Sequence, residues 1–132
     1  MQICGIKAED AKDYWYFASK HLSRIDGFDA DRELGLIEAG KTQLWLIVQD
    51  EDCIAAIITE VDEEPEKVVT IRNGAGESMD LWRDAFVGEV MAWGRSMGAV
   101  TTRIIGRLGW ERETRELGFK RVAVILEAKN NG

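Results

Sequence analysis

A single histidine, His21, stands in the 132-residue sequence, which excludes any metal site built from several histidines. Cysteine is nearly as scarce. Cys4 and Cys53 lie far apart, with neither zinc spacing nor the density of a secreted disulfide scaffold, and are expected as reduced thiols in or near the core. No apolar run approaches the length of a membrane span. No signal-peptide pattern precedes the acids Glu9 and Asp10, so a cytoplasmic location is the expectation. Positive charge is also in short supply. Seventeen basic residues face 24 acidic ones, for a formal charge of −7, which argues against broad binding to nucleic acid or an anionic membrane. There is no Gly-x-Ser-x-Gly and no credible Cys–His pair for covalent catalysis. Asp50-Glu51-Asp52 misses the spacing of a calcium loop and reads as a hairpin turn.

What is present suffices for one domain spanning residues 1–132. The hydrophobic fraction is 45%, enough for a core in a chain of this length. Ile3 and Ile6 flank a short edge strand. Glu9-Asp10-Ala11 opens a helix with acid where the helix dipole favours it. Trp15, Ala18, Leu22 and Ile25 recur at helical spacing, with Tyr14 and Phe17 widening the stripe. His21, one turn after Phe17, reads as a residue at the core edge. Asp29 or Asp31 caps a second helix that Gly40 stops.

Residues 44–48 and 53–59 then form an antiparallel hairpin, and 68–71 a third strand of the meander. Ser78 is positioned to cap a long helix over 79–97, with Trp82, Phe86, Val90, Trp93 and Met97 on one face. A strand over 100–105, a short helix over 110–117 and a last strand over 122–126 complete the chain. The helix between the third and next strands makes that pair parallel. The expected fold class is α/β (α+β): a mixed, mostly antiparallel sheet with helices on both faces.

Chemistry concentrates at Asn73-Gly74-Ala75-Gly76, read as a glycine loop between strand and helix. Unpaired N–H groups at a helix N-terminus, together with the helix dipole, favour an anion, and glycine lets the backbone approach it closely. Phosphate or pyrophosphate is the natural ligand. Glu77 opposes such a ligand unless it points away. Glycine in such loops also serves turning alone. Basic residues gather in the last third (Arg103, Arg107, Arg112, Arg115, Lys120, Arg121), opposite the acidic run 62–66; ordinary solvated charge accounts for both.

The order of elements resembles, from end to end, the GNAT superfamily of acyl-CoA-dependent N-acyltransferases. The opening through Glu9-Asp10-Ala11 is similar to the family's first strand and helix start, and Leu117-Gly118-Phe119 resembles its Leu-Gly-Phe. The family's Gln/Arg-x-x-Gly-x-Gly/Ala loop, which holds the pyrophosphate of coenzyme A, is matched best by Asn73-Gly74-Ala75-Gly76-Glu77-Ser78. Gly76 takes the central glycine, Asn73 replaces Gln/Arg, and Ser78 replaces the small final residue. In the family's Asn-x-x-Ala-x-x-Leu-Tyr motif, Arg107 falls at the Asn, Trp110 at the Ala and Thr114 at the Tyr. A threonine hydroxyl is too weakly acidic to replace that tyrosine easily as general acid.

The segment 106–110 is similar to small GNAT-like proteins of phage and prophage origin, which implies host cytoplasm if the chain is phage-encoded. Arg107 and Trp110, at the end of a parallel strand, either line a cleft or, equally, Trp110 packs the short helix and Arg107 is solvated. Glu60 is the candidate general base.

The resemblance implies an acyl-CoA-binding protein, with acetyl-CoA as cofactor and no metal. Cofactor contacts are expected at Asn73, Gly74, Ala75, Gly76, Ser78, Arg107 and Trp110. The acceptor is a small-molecule or protein amine, and a homodimer through an open sheet edge is compatible. The alternative is a catalytically degenerate GNAT-like protein that acts by binding a macromolecule.

Overall fold

The computed structural model describes residues 1–106, 110, 114–124 and 126–130. Five strands form one sheet in the order β1-β2-β3-β4-β5. They are β1 (Gln2–Ile6), β2 (Thr42–Gln49), β3 (Asp52–Asp62), β4 (Val68–Gly76) and β5 (Thr101–Ile104). The first four pair antiparallel, and β5 runs parallel to β4. Helices α1 (Ala11–Leu22) and α2 (Ala30–Glu38) lie between β1 and β2 in sequence, and α3 (Met79–Ser96) crosses over from β4 to β5.

The period-two alternation of β2 and β3 explains the layers. Trp45, Ile47, Ala55 and Ile57 face one side, where they pack with Trp82, Phe86, Val87 and Val90 of α3. Leu44, Leu46, Ala56 and Ile58 face the other, against Ala11, Ala18 and Leu22 of α1 and Ile37 of α2. Both faces are covered, so both strand faces are apolar. Helices therefore lie on both faces of a mostly antiparallel sheet, as the pattern predicts.

The punctuation is largely local chemistry. Asp29 accepts a 3.1 Å hydrogen bond from the Arg32 N–H and caps α2. Gly40 and Gly98 end α2 and α3 with positive φ. Asp50 and Glu51 both adopt positive φ, 51° and 69°, the conformation a tight two-residue hairpin demands.

Four expectations need correction. The glycine segment is not a loop: Asn73, Gly74, Ala75 and Gly76 continue β4 and pair with Ile58, Ile57, Ala56 and Ala55. Ser78 does not cap α3; its backbone is left-handed (φ 54°) and its side chain makes no capping bond. Tyr14 and Phe17 do not join the buried stripe of α1, being 44% and 48% exposed.

The fourth correction concerns the C-terminus. Among the described residues of 122–126, none is in a strand, and Val122, Val124 and Leu126 are exposed. Ile125 lies outside the described residues. Of the predicted short helix, Trp110 and Thr114 are helical and Arg115–Leu117 forms a 3-10 turn. Residues 111–113 lie outside the described set.

Candidate functional site

The site begins where two parallel strands part. β4 and β5 pair from Val68↔Thr101 to Ile71↔Ile104, and the Ile105 N–H adds one more bond to the Ile71 carbonyl at 3.0 Å. β4 then runs on through residues 72–76 with no described strand on that edge. A β-bulge marks the point of parting. The β3–β4 register slips between Ile58 and Thr59, leaving Arg72 as the extra residue, and a bulge bends its strand and increases local twist.

The far end of this open edge is built tightly. A Cβ on Gly76 would collide with the Ile54 carbonyl and with Ala55, so glycine is required there by close approach of β3. The Glu77 N–H donates to that same Ile54 carbonyl at 2.7 Å. The buried Trp82 indole donates to the Glu77 carbonyl at 2.9 Å, tying the turn to α3. The first N–H groups of α3 lack intrahelical acceptors by helix geometry.

Two acids flank this helix start, and each faces an arginine. Glu77 lies 3.9 Å from Arg24, and Asp80 3.6 Å from Arg83. The negative charge that opposes an anion at the turn is thereby partly offset.

At the bulge, on the β3 and α2 side of β4, sits a charged cluster. The Arg72 guanidinium lies 3.6 Å from the Glu60 carboxylate on β3 and 3.8 Å from the Glu33 carboxylate on α2. Glu60 pairs across the sheet with Thr70 and Thr42. From Ala55, opposite Gly76, to Glu60 is five residues of strand, or about 17 Å. Sequence reasoning missed Arg72 and Glu33. The available signal was Glu33 four residues before Ile37, which places a carboxylate on the sheet-facing stripe of α2.

The remaining expected residues divide. Trp110 is half-buried, packs against the α3-face core and closes over Gly106 at the end of β5. Thr114 is buried, and its hydroxyl donates to the Trp110 carbonyl at 2.5 Å, so it is already committed. Arg107 lies outside the described residues. His21 is buried, and its Nε2–H donates to the Cys53 carbonyl at 2.8 Å. The Cys53 thiol donates to the Ala55 carbonyl at 3.4 Å. Burial pushes that thiol up from its ordinary pKa, so the two residues do not form a nucleophilic pair. Two cavities of about 220 and 230 Å³ lie elsewhere, one beside the acidic 62–66 turn and one lined by Cys4, Tyr14, Phe17 and Cys53.

No family model and no curated protein matches the sequence. Solved structures do. A ribosomal-protein-alanine N-acetyltransferase from Brucella melitensis biovar Abortus 2308 matches with a TM-score of 0.72 at 9% identity, over 98% of this chain and 99% of its own. Glucosamine-6-phosphate N-acetyltransferase from Arabidopsis thaliana gives 0.71 at 12% identity, over 97% of each chain. A predicted acetyltransferase from Clostridium acetobutylicum, solved with acetyl-CoA, gives 0.71 at 12% identity, over 97% of this chain and 95% of its own.

The chain has the GNAT fold. Identities this low carry the architecture, and activity has to be argued from the residues. Within the GNAT fold of this chain, the parted strands and the α3 start lie on the β5 side of β4, and the Glu60–Arg72–Glu33 cluster joins β4 to β3 and α2.

Proposed function

We propose that the chain binds acetyl-CoA in the gap between β4 and β5 and transfers the acetyl group to an amine. The observation that carries this reading is that β4 runs on over residues 72–76 with no strand beside it among the described residues and ends at the start of α3. An unpaired strand edge offers alternating N–H and C=O groups, which suit the two amides of a pantetheine arm. The helix start suits a pyrophosphate. Asn73, Gly74, Ala75, Gly76 and Ser78 flank that path, with Trp110, and Arg107 by resemblance, at its β5 side.

The span of about 17 Å along β3 is comparable to an extended pantetheine arm. Glu60, one strand over on β3 and 3.6 Å from Arg72, is the candidate whose carboxylate would accept the amine proton through water. The thioester would supply the acetyl group: the amine nitrogen forms the new C–N bond as the C–S bond breaks, and coenzyme A leaves as its thiolate. Thr114 does not supply a proton, because its hydroxyl is bound to the Trp110 carbonyl. That commitment favours a second reading, a GNAT-fold protein that keeps the cleft but acts by binding a macromolecule. The acceptor is a small-molecule or protein amine. The outer edges of β1 and β5 also leave room for a homodimer.

Acetyl-CoA added to the purified protein should raise its melting temperature, since a ligand at about 100 times Kd adds about 2.7 kcal/mol. Ser78 is exposed and its side chain caps nothing. Ser78→Glu should therefore keep the unliganded melting temperature and lose the ligand shift. No shift at millimolar acetyl-CoA would overturn the proposal, and a shift retained in Ser78→Glu would move the anion away from this turn. Acetylation across a panel of amines at enzymatic rates would remove the second reading.

A further inference from the structure

Tyr14 and Phe17 widen the apolar stripe of α1 in sequence, yet both stand half-exposed. The surface they open onto is apolar as well. With Cys4 and Ile6 of β1 and Val48 of β2, they line the cavity of about 230 Å³, and Glu51 is the one charged residue in its wall. Tyr16 stands edge-on to Phe17 and is 74% exposed. Apolar residues exposed singly are ordinary, whereas a continuous patch marks a surface with a partner.

The patch runs to an open strand. Among the described residues β1 ends the sheet, and its outer N–H and C=O groups face no strand. Edge strands are usually blunted by charge, proline, a bulge or short length. At the other end of the sheet β5 is four residues long and carries Arg103. The β1 sequence Gln2-Ile3-Cys4-Gly5-Ile6 has no charge and no proline, and it pairs with β2 without a register slip. Such an edge is a template for another strand.

Charge selects the partner. The chain carries a formal charge of −7, and a basic partner would be drawn to its acids. A patch with a single acid suits a partner that brings no opposite charge, and a second β1 is one. In an antiparallel pair with its two-fold axis at Cys4, Gln2 of each copy faces Ile6 of the other, Ile3 faces Gly5, and Cys4 faces Cys4. No facing position sets like charges against each other, which would weaken the pair. Lys7 lies just beyond the pairing, with Glu9 and Asp10 next in the chain to offset it. Such an axis stands perpendicular to the sheet. Both cavities therefore fall on one face, and the aromatic side chains of the two α1 helices flank the joint.

We propose that the chain forms a two-fold homodimer by pairing β1 with β1 of a second copy, with Tyr14 and Phe17 of each copy lining the joint. The contact is isologous, so it closes at two copies. It makes one continuous sheet with the two β4–β5 gaps toward its far ends. This narrows the homodimer named above to one edge and one register, and it does not depend on what fills those gaps.

Sedimentation equilibrium of the full chain should show a monomer–dimer equilibrium. A monomer at every concentration up to the millimolar range would overturn the proposal. Facing residues of an antiparallel pair have Cα atoms about 4.5–5.5 Å apart, within the reach of a disulfide. Diamide, which takes up the two thiol hydrogens, should therefore link Cys53→Ser protein into a covalent dimer and leave Cys4→Ser protein unlinked. Cys4→Lys sets two ammonium groups face to face and should weaken the dimer about fivefold or more, the scale of one unfavourable cross-strand pair. Phe17→Ser, at a half-exposed position, should weaken the dimer and leave the melting temperature of dilute protein near that of the unsubstituted chain. Amide shifts between dilute and concentrated protein should centre on residues 2–6, a readout that needs no substitution. Shifts centred elsewhere, a dimer that Cys4 does not link, or one that Cys4→Lys leaves at full strength would each overturn the assignment.

Discussion

Residues 42–76 and residues 120–130 are both furnished with β-branched and aliphatic side chains, and their described residues end in opposite environments. In the first stretch Ile47, Ala55, Ile57 and Ile58 are fully buried, and every strand has a hydrogen-bonded neighbour. In the second, Val122 is 75% exposed, Val124 64% and Leu126 89%, with no strand among the described residues. The contrast teaches that a β-prone pattern is a capacity for packing. It becomes a strand only where a ladder and an apolar cover are both on offer. β2 and β3 have a helix layer on each side, while the described residues 120–124 and 126–130 are exposed.

That contrast can be attacked at its strongest point first. Phe86→Ala removes a fully buried ring between Trp45 and Trp82 and should cost about 3–5 kcal/mol in urea unfolding followed by circular dichroism. Gly76→Ala forces a methyl against the Ile54 carbonyl and Ala55 and should cost about 1–3 kcal/mol. A neutral result would mean that β3 and β4 approach less closely than described. Leu126→Ser should change stability by no more than about 0.5 kcal/mol, as expected for an exposed position. A loss comparable to Phe86→Ala would show that the C-terminal stretch is packed in solution and would dissolve the distinction.

Much of the fold was legible because its signals are local. The apolar run of Leu44 to Val48, the cap offered by Asp29 or Asp31 and the Gly40 and Gly98 stops each rest on neighbouring residues; the run is a strand, Asp29 makes the cap and both glycines stop their helices. The extension of β4 was not legible. Arg72 to Gly76 contains no β-branched residue and two glycines, which by propensity argue against a strand. The ladder to β3 overrides that preference.

The cleft was legible only by resemblance, and its geometry contradicts the simple picture of a glycine loop. Gly76 is a glycine for reasons of packing, whatever ligand passes it. Thr114 was suspect as an acid from its chemistry, and its bond to the Trp110 carbonyl gives that suspicion a physical form. The Glu33–Arg72–Glu60 cluster joins three separate elements, and sequence spacing alone does not bring them together.

A strand normally carries one alternation from end to end, and β4 carries two. Before Arg72, the odd-numbered Val69 and Ile71 face α3. After it, the odd-numbered Ala75 packs toward α1 and α2, while Gly74 and Gly76 lie beside Ile57 and Ala55 of the α3 side. The bulge is a half-period slip that lets the first half of the strand obey the core and the second half obey the gap. Deleting Gly74, with Gly76 held opposite Ala55, would restore a single phase and move Asn73 opposite Ile57, onto the α3 side. The frame of this segment therefore matters more than its individual letters. A change of length by one residue should damage the cleft more than most substitutions within it.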